Sequence, residues 1–312
     1  MFRLRKWYFD FLTPAGEYAY VYFAYITFAG RTLRSLTVHV AHPGGSPVTR
    51  SFLIDRHDEH GAGMTDCALG LPCGGIRIGG HDCALDFQKG DCRVRLAYAS
   101  GTGTPETPVE IVTGRKSRIA WTPVALRYAV SGQVALGDTV VDPGGAGGYA
   151  DALESTCLPP IVPVHMLYWG RAHHATFDLT YTHAVGRGGR IVCSRFYLQN
   201  GGAAQCGPLA FEGDSPRPGA SAGAPIVGDY VISGSAGSGH VSARVHRMRA
   251  VQESGFIDQQ DVRSPLLRGL LRLCTRDPRG AKYLSRAAVS LLLPRGEERV
   301  EDLALIDECV RL

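Results

Sequence analysis

The sequence predicts a mostly β protein, two tandem antiparallel β domains of barrel or sandwich type with one short C-terminal helix, and three observations predict it. Its 312 residues are twice the ~150 of an ordinary domain. Its 39 Gly and 18 Pro are scattered between short apolar runs, the pattern of many turns joining many short strands. No long helical stretches separate those runs, whereas a parallel sheet would need crossover helices there.

The first strong element is Glu17 to Phe28, EYAYVYFAYITF, rich in Tyr, Phe, Val and Ile with Glu17 as its only charge; it reads as a long strand. Leu33 to Ala41 alternates in part between Ala29-Gly30-Arg31 and Pro43-Gly44-Gly45, which fits a hairpin or meander. The charge-rich Asp55-Arg56-His57-Asp58-Glu59-His60 lacks apolar support, runs into Gly61 and is expected to be a loop, not a metal site. Further strands are expected at Cys92 to Ala99, Val109 to Val112, Arg127 to Val134, Thr176 to Thr182, Arg190 to Leu198, Gly228 to Ser233, Val241 to Met248, Ala287 to Leu293 and Ala304 to Leu312. Gly201 to Gly223, dense in Gly, Ala, Pro and Ser, is expected to be a long surface loop. The helix is Ser264 to Thr275, SPLLRGLLRLCT, with Ser264 as cap, Pro265 in the first turn and leucines on one face. It is expected to cover a barrel flank; Arg263, Arg268, Arg272 and Arg276 would alternatively suit peripheral contact with a membrane surface.

Composition excludes several classes. With 45% hydrophobic and 20% charged residues the chain can bury a core and is not wholesale disordered. A net charge of +4 does not call for a polyanionic partner, so nucleic acid is not expected. No segment reaches the ~18 consecutive apolar residues of a transmembrane helix, and no apolar stretch ending in a cleavage site follows Met1. The nine cysteines are odd in number and dispersed, as expected for reduced thiols in a cytoplasm. None of Cys67, Cys73, Cys83 and Cys92 forms a C-x-x-C pair and no histidines show ligand spacing, so no metal is expected. A G-x-G-x-x-G turn in a strand-turn-helix context, a Walker A lysine motif and a G-x-S-x-G elbow are all missing, so no nucleotide cofactor and no serine hydrolysis are expected.

Several short elements then carry a resemblance. Trp7-Tyr8-Phe9-Asp10, a turn at Pro14-Ala15-Gly16 and an aromatic strand open the chain; Gly148-Tyr149-Ala150-Asp151 and Trp169-Gly170-Arg171 lie mid-chain; Lys282 to Arg286 and a final strand containing Glu308 close it. In this order they resemble the carotenoid 1,2-hydratase family and its lipocalin-like relatives, including Diels-Alderases and cyclases of natural-product pathways. The resemblance implies two lipocalin-like domains, 1–158 and 159–312, with Trp7 and Trp169 opening their first strands and the Tyr149 to Asp151 motif near the junction. It also implies an apolar small-molecule substrate held in a cavity, without a cofactor. Hydratases of the family carry histidines around the central Asp, where this chain has Ala150 before it and Ala152-Leu153-Glu154 after it, which points away from carotenoid hydration itself.

Asp151 is the carboxylate singled out for catalysis, because a desolvated Asp holds its proton to higher pH and can protonate an alkene or enol while aromatic faces steady the cation. The structural alternative is a pair with Arg171 or a turn cap. Tyr149 and Arg171 complete the candidate catalytic set, Arg171 as a forked donor to a substrate oxygen or as a structural ion pair. Candidate substrate-binding residues are Trp169, His173, His174, Tyr20, Tyr22, Phe177 and Tyr197; core packing is the ordinary fate of the tryptophan, and period-two alternation leaves open which strand parity faces inward. His173 and His174 point to opposite faces of an extended strand, so one would face the cavity. The sequence thus supports an enzyme that hydrates, isomerises or cyclises a polyene, terpenoid or polyketide, with a non-catalytic carrier of an apolar ligand as the rival.

Overall fold

The structure, a computed structural model, describes residues 2–105, 107–114, 117–158, 162–201, 204–213, 217–218, 225–226, 228–255, 279–294 and 296–311. The fold divides into two compact units, one extending to Cys157 and one beginning at Leu158. Strand pairing is antiparallel throughout the described residues, as the scattered turns and missing crossovers predict. Among those residues no helix is long and apolar enough to cross a membrane. The expected helix Ser264 to Thr275 lies outside the described residues.

In the first unit, β1 (Phe2–Leu12), β2 (Tyr18–Phe28), β3 (Arg31–Ala41) and β4 (Val48–Leu53) form one meander. A second meander comprises β5 (Asp58–Gly63), β6 (Asp66–Leu71), β7 (Gly74–Ile78), β8 (Cys83–Lys89) and β9 (Cys92–Thr102). β11 (Arg118–Leu136) and β13 (Gly147–Ser155) join the two, while β10 (Val109–Thr113) and β12 (Thr139–Val141) pair with β11, giving a thirteen-stranded sheet. Successive side chains alternate between faces. On one face Trp7, Phe9 and Phe11 meet Val21, Phe23 and Val38 in a core from which water is excluded. Each such burial is worth about 1.5–3 kcal/mol, and the indole of Trp7 donates to the Met64 carbonyl at 2.7 Å.

In the second unit, β14 (Val164–His173), β15 (Asp178–Gly186), β16 (Ile191–Gln199) and β17 (Gln205–Gly213) follow in sequence. After the two-residue pair β18 (Arg217–Pro218) and β19 (Pro225–Ile226) come β20 (Tyr230–Ala236), β21 (Gly239–Gly255), β22 (Arg279–Leu293) and β23 (Gly296–Arg311). β23 returns to pair with β14, from Met166 opposite Arg311 to Ala172 opposite Leu305, and closes an eight-stranded up-and-down barrel of the lipocalin-like type. Closure removes the exposed sheet edges. The interior is apolar at one end, with Leu179, Leu198, Ile232, Val241 and Leu291, and polar at the other.

Three local expectations are corrected. Gln205–Gly213, inside the expected loop, is a strand because Gly207 and Leu209 alternate inward while Pro208 and Ala210 face out. The charged hexapeptide enters β5 at Asp58, and His57 does find apolar support, its ring lying 4.6 Å from that of Tyr25 while Glu59 pairs with Arg5. Trp7 and Trp169 stand in mid-strand, not at strand starts, since residues 2–6 ahead of Trp7 and residues 164–168 ahead of Trp169 already pair with neighbouring strands.

The two motif glycines have packing reasons. A Cβ on Gly148 would lie 2.2 Å from Val130 and 2.8 Å from the Asp10 carbonyl, and a Cβ on Gly170 would lie 2.4 Å from the Tyr181 hydroxyl inside the barrel. Replacing Gly170 with Ala should therefore cost about 1–3 kcal/mol through overpacking, read as a lowered midpoint in chemical denaturation with an unchanged slope.

Candidate active site

The register of β1 fixes the site. Tyr8 lies opposite Tyr22 on one side and Asp151 on the other, while Asp10 lies opposite Tyr20 and Tyr149. Residues directly opposite share a face, so Lys6, Tyr8 and Asp10 of β1, Tyr18, Tyr20 and Tyr22 of β2, Thr37 and His39 of β3, and Tyr149 and Asp151 of β13 stand together, with Trp121 of β11 in the same set. This is the face opposite the Trp7-Phe9-Phe11 core. It too is buried: Asp10 and Tyr149 are 0% exposed and Asp151 7%.

A polar and aromatic face can be buried only if its groups bond to one another. Tyr18 donates to Tyr8 at 2.6 Å and Tyr8 donates to Asp10 Oδ2 at 2.8 Å. The His39 ring stacks on Tyr20 at 4.8 Å, and its Nδ1 lies 2.8 Å from the Thr49 hydroxyl. Tyr20 stacks on Tyr22 at 5.9 Å, and the Lys6 ammonium sits 5.0 Å from the Tyr22 ring centre.

Asp151 is in the middle of this surface. It is not at a turn: it sits inside β13, and its Oδ2 accepts from the Trp121 indole at 3.0 Å. Burial pushes its carboxyl up, against the pull of Lys6 and of hydrogen bonds from Trp121 and Tyr149, and nearby Asp10 adds to the rise, so that it titrates at about 6. Loss of hydration disfavours the charged form, and Trp121 supplies a neutral partner without a full countercharge. The group can hold and release a proton near neutrality.

The candidates separate cleanly. Asp151, Tyr149, Tyr20 and Tyr22 come together on this one face. In the second unit, Arg171 lies opposite Thr180, which lies opposite Tyr197, so Arg171, Trp169, His173 and Tyr197 share the outer face of the barrel wall, with Lys282 5.5 Å from the Trp169 ring. Arg171 is 2% and Tyr197 1% exposed. Phe177 is instead part of the barrel core. His173 pairs with Asp178 at 2.9 Å, and His174, just beyond β14, lies 3.3 Å from Glu298.

Sequence reasoning did not single out Lys6, Tyr8, Asp10, Tyr18, His39 and Trp121 as site residues. A signal existed in Tyr8-Phe9-Asp10-Phe11, where polar-tipped and purely apolar side chains alternate, with Lys6 and Trp7 extending the same two faces. It also missed the polar end of the barrel, where Arg247 gives Asp307 Oδ2 two hydrogen bonds, at 2.7 and 2.6 Å, and lies over the rings of Tyr230 and Tyr283. Ser285 donates to the other oxygen of Asp307, and Tyr181 bonds to Tyr230. Nearby, burial pushes His183 down to about 4, and its Nδ1 meets the Ser194 hydroxyl at 2.8 Å.

The fold defines a protein built of lipocalin-like β units. No known sequence family and no curated protein matches the chain. Among solved structures it is similar to CghA with Sch210972, with a TM-score of 0.69 at 10% identity over 99% of this chain and 88% of that one. It is also similar to an AttH-like protein of Nitrosomonas europaea, with a TM-score of 0.60 at 13% identity over 99% of this chain and 92% of that one. Kievitone hydratase from Nectria haematococca gives a TM-score of 0.54 at 7% identity over 98% and 88%. The resemblance seen in the motifs is therefore matched in the fold.

The titration of Asp151 is linked to stability. Its folded value is raised from 3.8 to about 6, so the folded state binds the proton more tightly than the unfolded chain. The stability this proton confers is complete below about pH 4 and is lost as pH rises through about 6, a loss of about 3 kcal/mol. Asp151→Asn, which keeps the shape without the charge, should remove that slope and leave the protein more stable than wild type at pH 8 by about 1–3 kcal/mol, read by denaturant unfolding at several pH values.

Proposed function

We propose that this chain is a cofactor-independent enzyme of secondary metabolism that protonates an apolar polyene, terpenoid or polyketide intermediate and so hydrates, isomerises or cyclises it. The observation that carries the reading is the buried Asp151 carboxyl, titrating at about 6 among Trp121, Tyr149, Tyr8 and Tyr22. In the proposed step the Asp151 O–H bond breaks as a substrate C=C π pair takes the proton, leaving a carboxylate and a carbocation. The cation lies against tyrosine and indole faces, whose negative π clouds stabilise it, until water, a second alkene or loss of a proton quenches it.

Tyr149 orients the acid through its hydrogen bond. Arg171, Trp169, His173 and Tyr197 stand on a face of the second unit and have no part in the proposed step. Support from known proteins is of fold only: kievitone hydratase is a hydratase by name, and CghA was solved with Sch210972.

The test starts from a strain lacking the gene. Its apolar extract should contain an accumulated intermediate that the purified wild-type protein converts. Asp151→Asn should bind the compound and slow its conversion by at least about 100-fold, with Asp151→Glu recovering part of the rate. Binding without conversion by the wild-type protein would instead make it a carrier, and undiminished conversion by Asp151→Asn would remove Asp151 from the mechanism.

A further inference from the structure

Asp10 is the second carboxylate of the Asp151 face, and the acid step described above gives it no task. It stands diagonally from Asp151, opposite Tyr149 where Tyr8 is opposite Asp151, a relation that places Cα atoms about 7–8 Å apart. The two carboxyls thus stand on one face of neighbouring strands, offset by one diagonal step. Asp10 is 0% exposed, as buried as the apolar core.

Two further observations distinguish the carboxylates. Asp151 Oδ2 accepts from the indole of Trp121. Asp10 Oδ2 stands at the end of a directional chain, Tyr18 to Tyr8 to Asp10, in which each hydroxyl proton points toward the carboxylate. Such a chain stabilises negative charge at its end and offers a line along which protons move. Like charge on one carboxylate favours the proton on the other, and Asp10 does raise Asp151. Two carboxyl groups in environments that differ in this way divide into acid and base.

We propose, resting on the acid role of Asp151, that Asp10 is the catalytic base of the same site, so that the reaction is an isomerisation or cyclisation without added water. The Asp151 proton bonds to one end of a substrate C=C, and its O–H bond breaks. The resulting cation, or the cation formed when a second alkene of the substrate adds to it, loses a proton from a neighbouring carbon. That C–H electron pair becomes the new C=C, and the proton goes to Asp10. Proton count and oxidation state are unchanged, and the resting enzyme is restored between turnovers when Asp10 releases its proton to solvent and Asp151 takes one up from it. Tyr8, which touches Asp10, is a positioning residue.

The experiment uses the same deletion-strain extract, incubated with full-length protein in D2O and followed by mass spectrometry. The wild-type product should carry one deuterium in place of one protium and no new oxygen. Asp10→Asn should slow its formation by about 100-fold or more, and should divert part of the cation to a product that has gained D2O. Tyr8→Phe, which leaves the ring packing intact, should shift the pH profile of kcat with a smaller loss of rate, and serves if Asp10→Asn fails to fold. A wild-type product that has gained the elements of D2O, or undiminished formation of the wild-type product by Asp10→Asn or an unshifted profile in Tyr8→Phe, overturns the base role. If conversion survives Asp151→Asn, the acid assignment fails first; if Asp151→Asn abolishes conversion while Asp10→Asn does not, only the present inference fails.

Discussion

The register of β1 between β2 and β13 is the constraint on which the rest of the first unit depends. It sends Trp7, Phe9 and Phe11 to one face and Lys6, Tyr8 and Asp10 to the other. Because side chains alternate with a period of two, a slip of one residue would exchange the two sets and bury Asp10 and Lys6 among Val21, Phe23 and Val38. Removing two charges from water without partners costs several kcal/mol each, comparable to the whole 5–15 kcal/mol by which a domain is stable. The aromatic core and the polar face therefore specify each other.

Two buried aspartates in this chain show how surroundings separate structure from chemistry. Asp307, inside the barrel, has both oxygens engaged by Arg247 and Ser285, with the guanidinium held over Tyr230 and Tyr283. That is a closed ion pair, costly to break because either partner alone would be a buried charge. Asp151 has a neutral indole as its near partner and Lys6 as a favourable charge that does not overcome desolvation. A group that is more stable protonated while folded is a burden at neutral pH unless the proton is used, and such burdens concentrate at functional sites.

Much of this was legible in the sequence. The scattered Gly and Pro predicted antiparallel β structure, Glu17 to Phe28 predicted the strand that is β2 (Tyr18–Phe28), and Tyr149-Ala150-Asp151 pointed to the central carboxylate. Parity was not legible: Tyr20 and Tyr22 could have faced either side, and only pairing with Tyr8 and Asp10 places them with Asp151. β17 was hidden because Gly207, Pro208 and Ala210 are poor strand formers whose pairing is decided by neighbours in the barrel. The Asp10 chain was hidden because hydrogen bonding between Tyr18 and Tyr8, ten residues apart across a turn, has no linear signature.

The central claim is that the fold raises the Asp151 carboxyl to about 6, so that it keeps its proton in mildly acidic solution and exchanges it readily near neutrality. An infrared difference titration of its carboxyl, with Asp151→Asn as the blank, measures this directly. A protonated carboxyl band that disappears with a midpoint at about 6 is the expected result. A band gone by the ordinary value of 3.8 would contradict it, since an Asp already ionised at that pH has no proton to give to a hydrocarbon at neutrality.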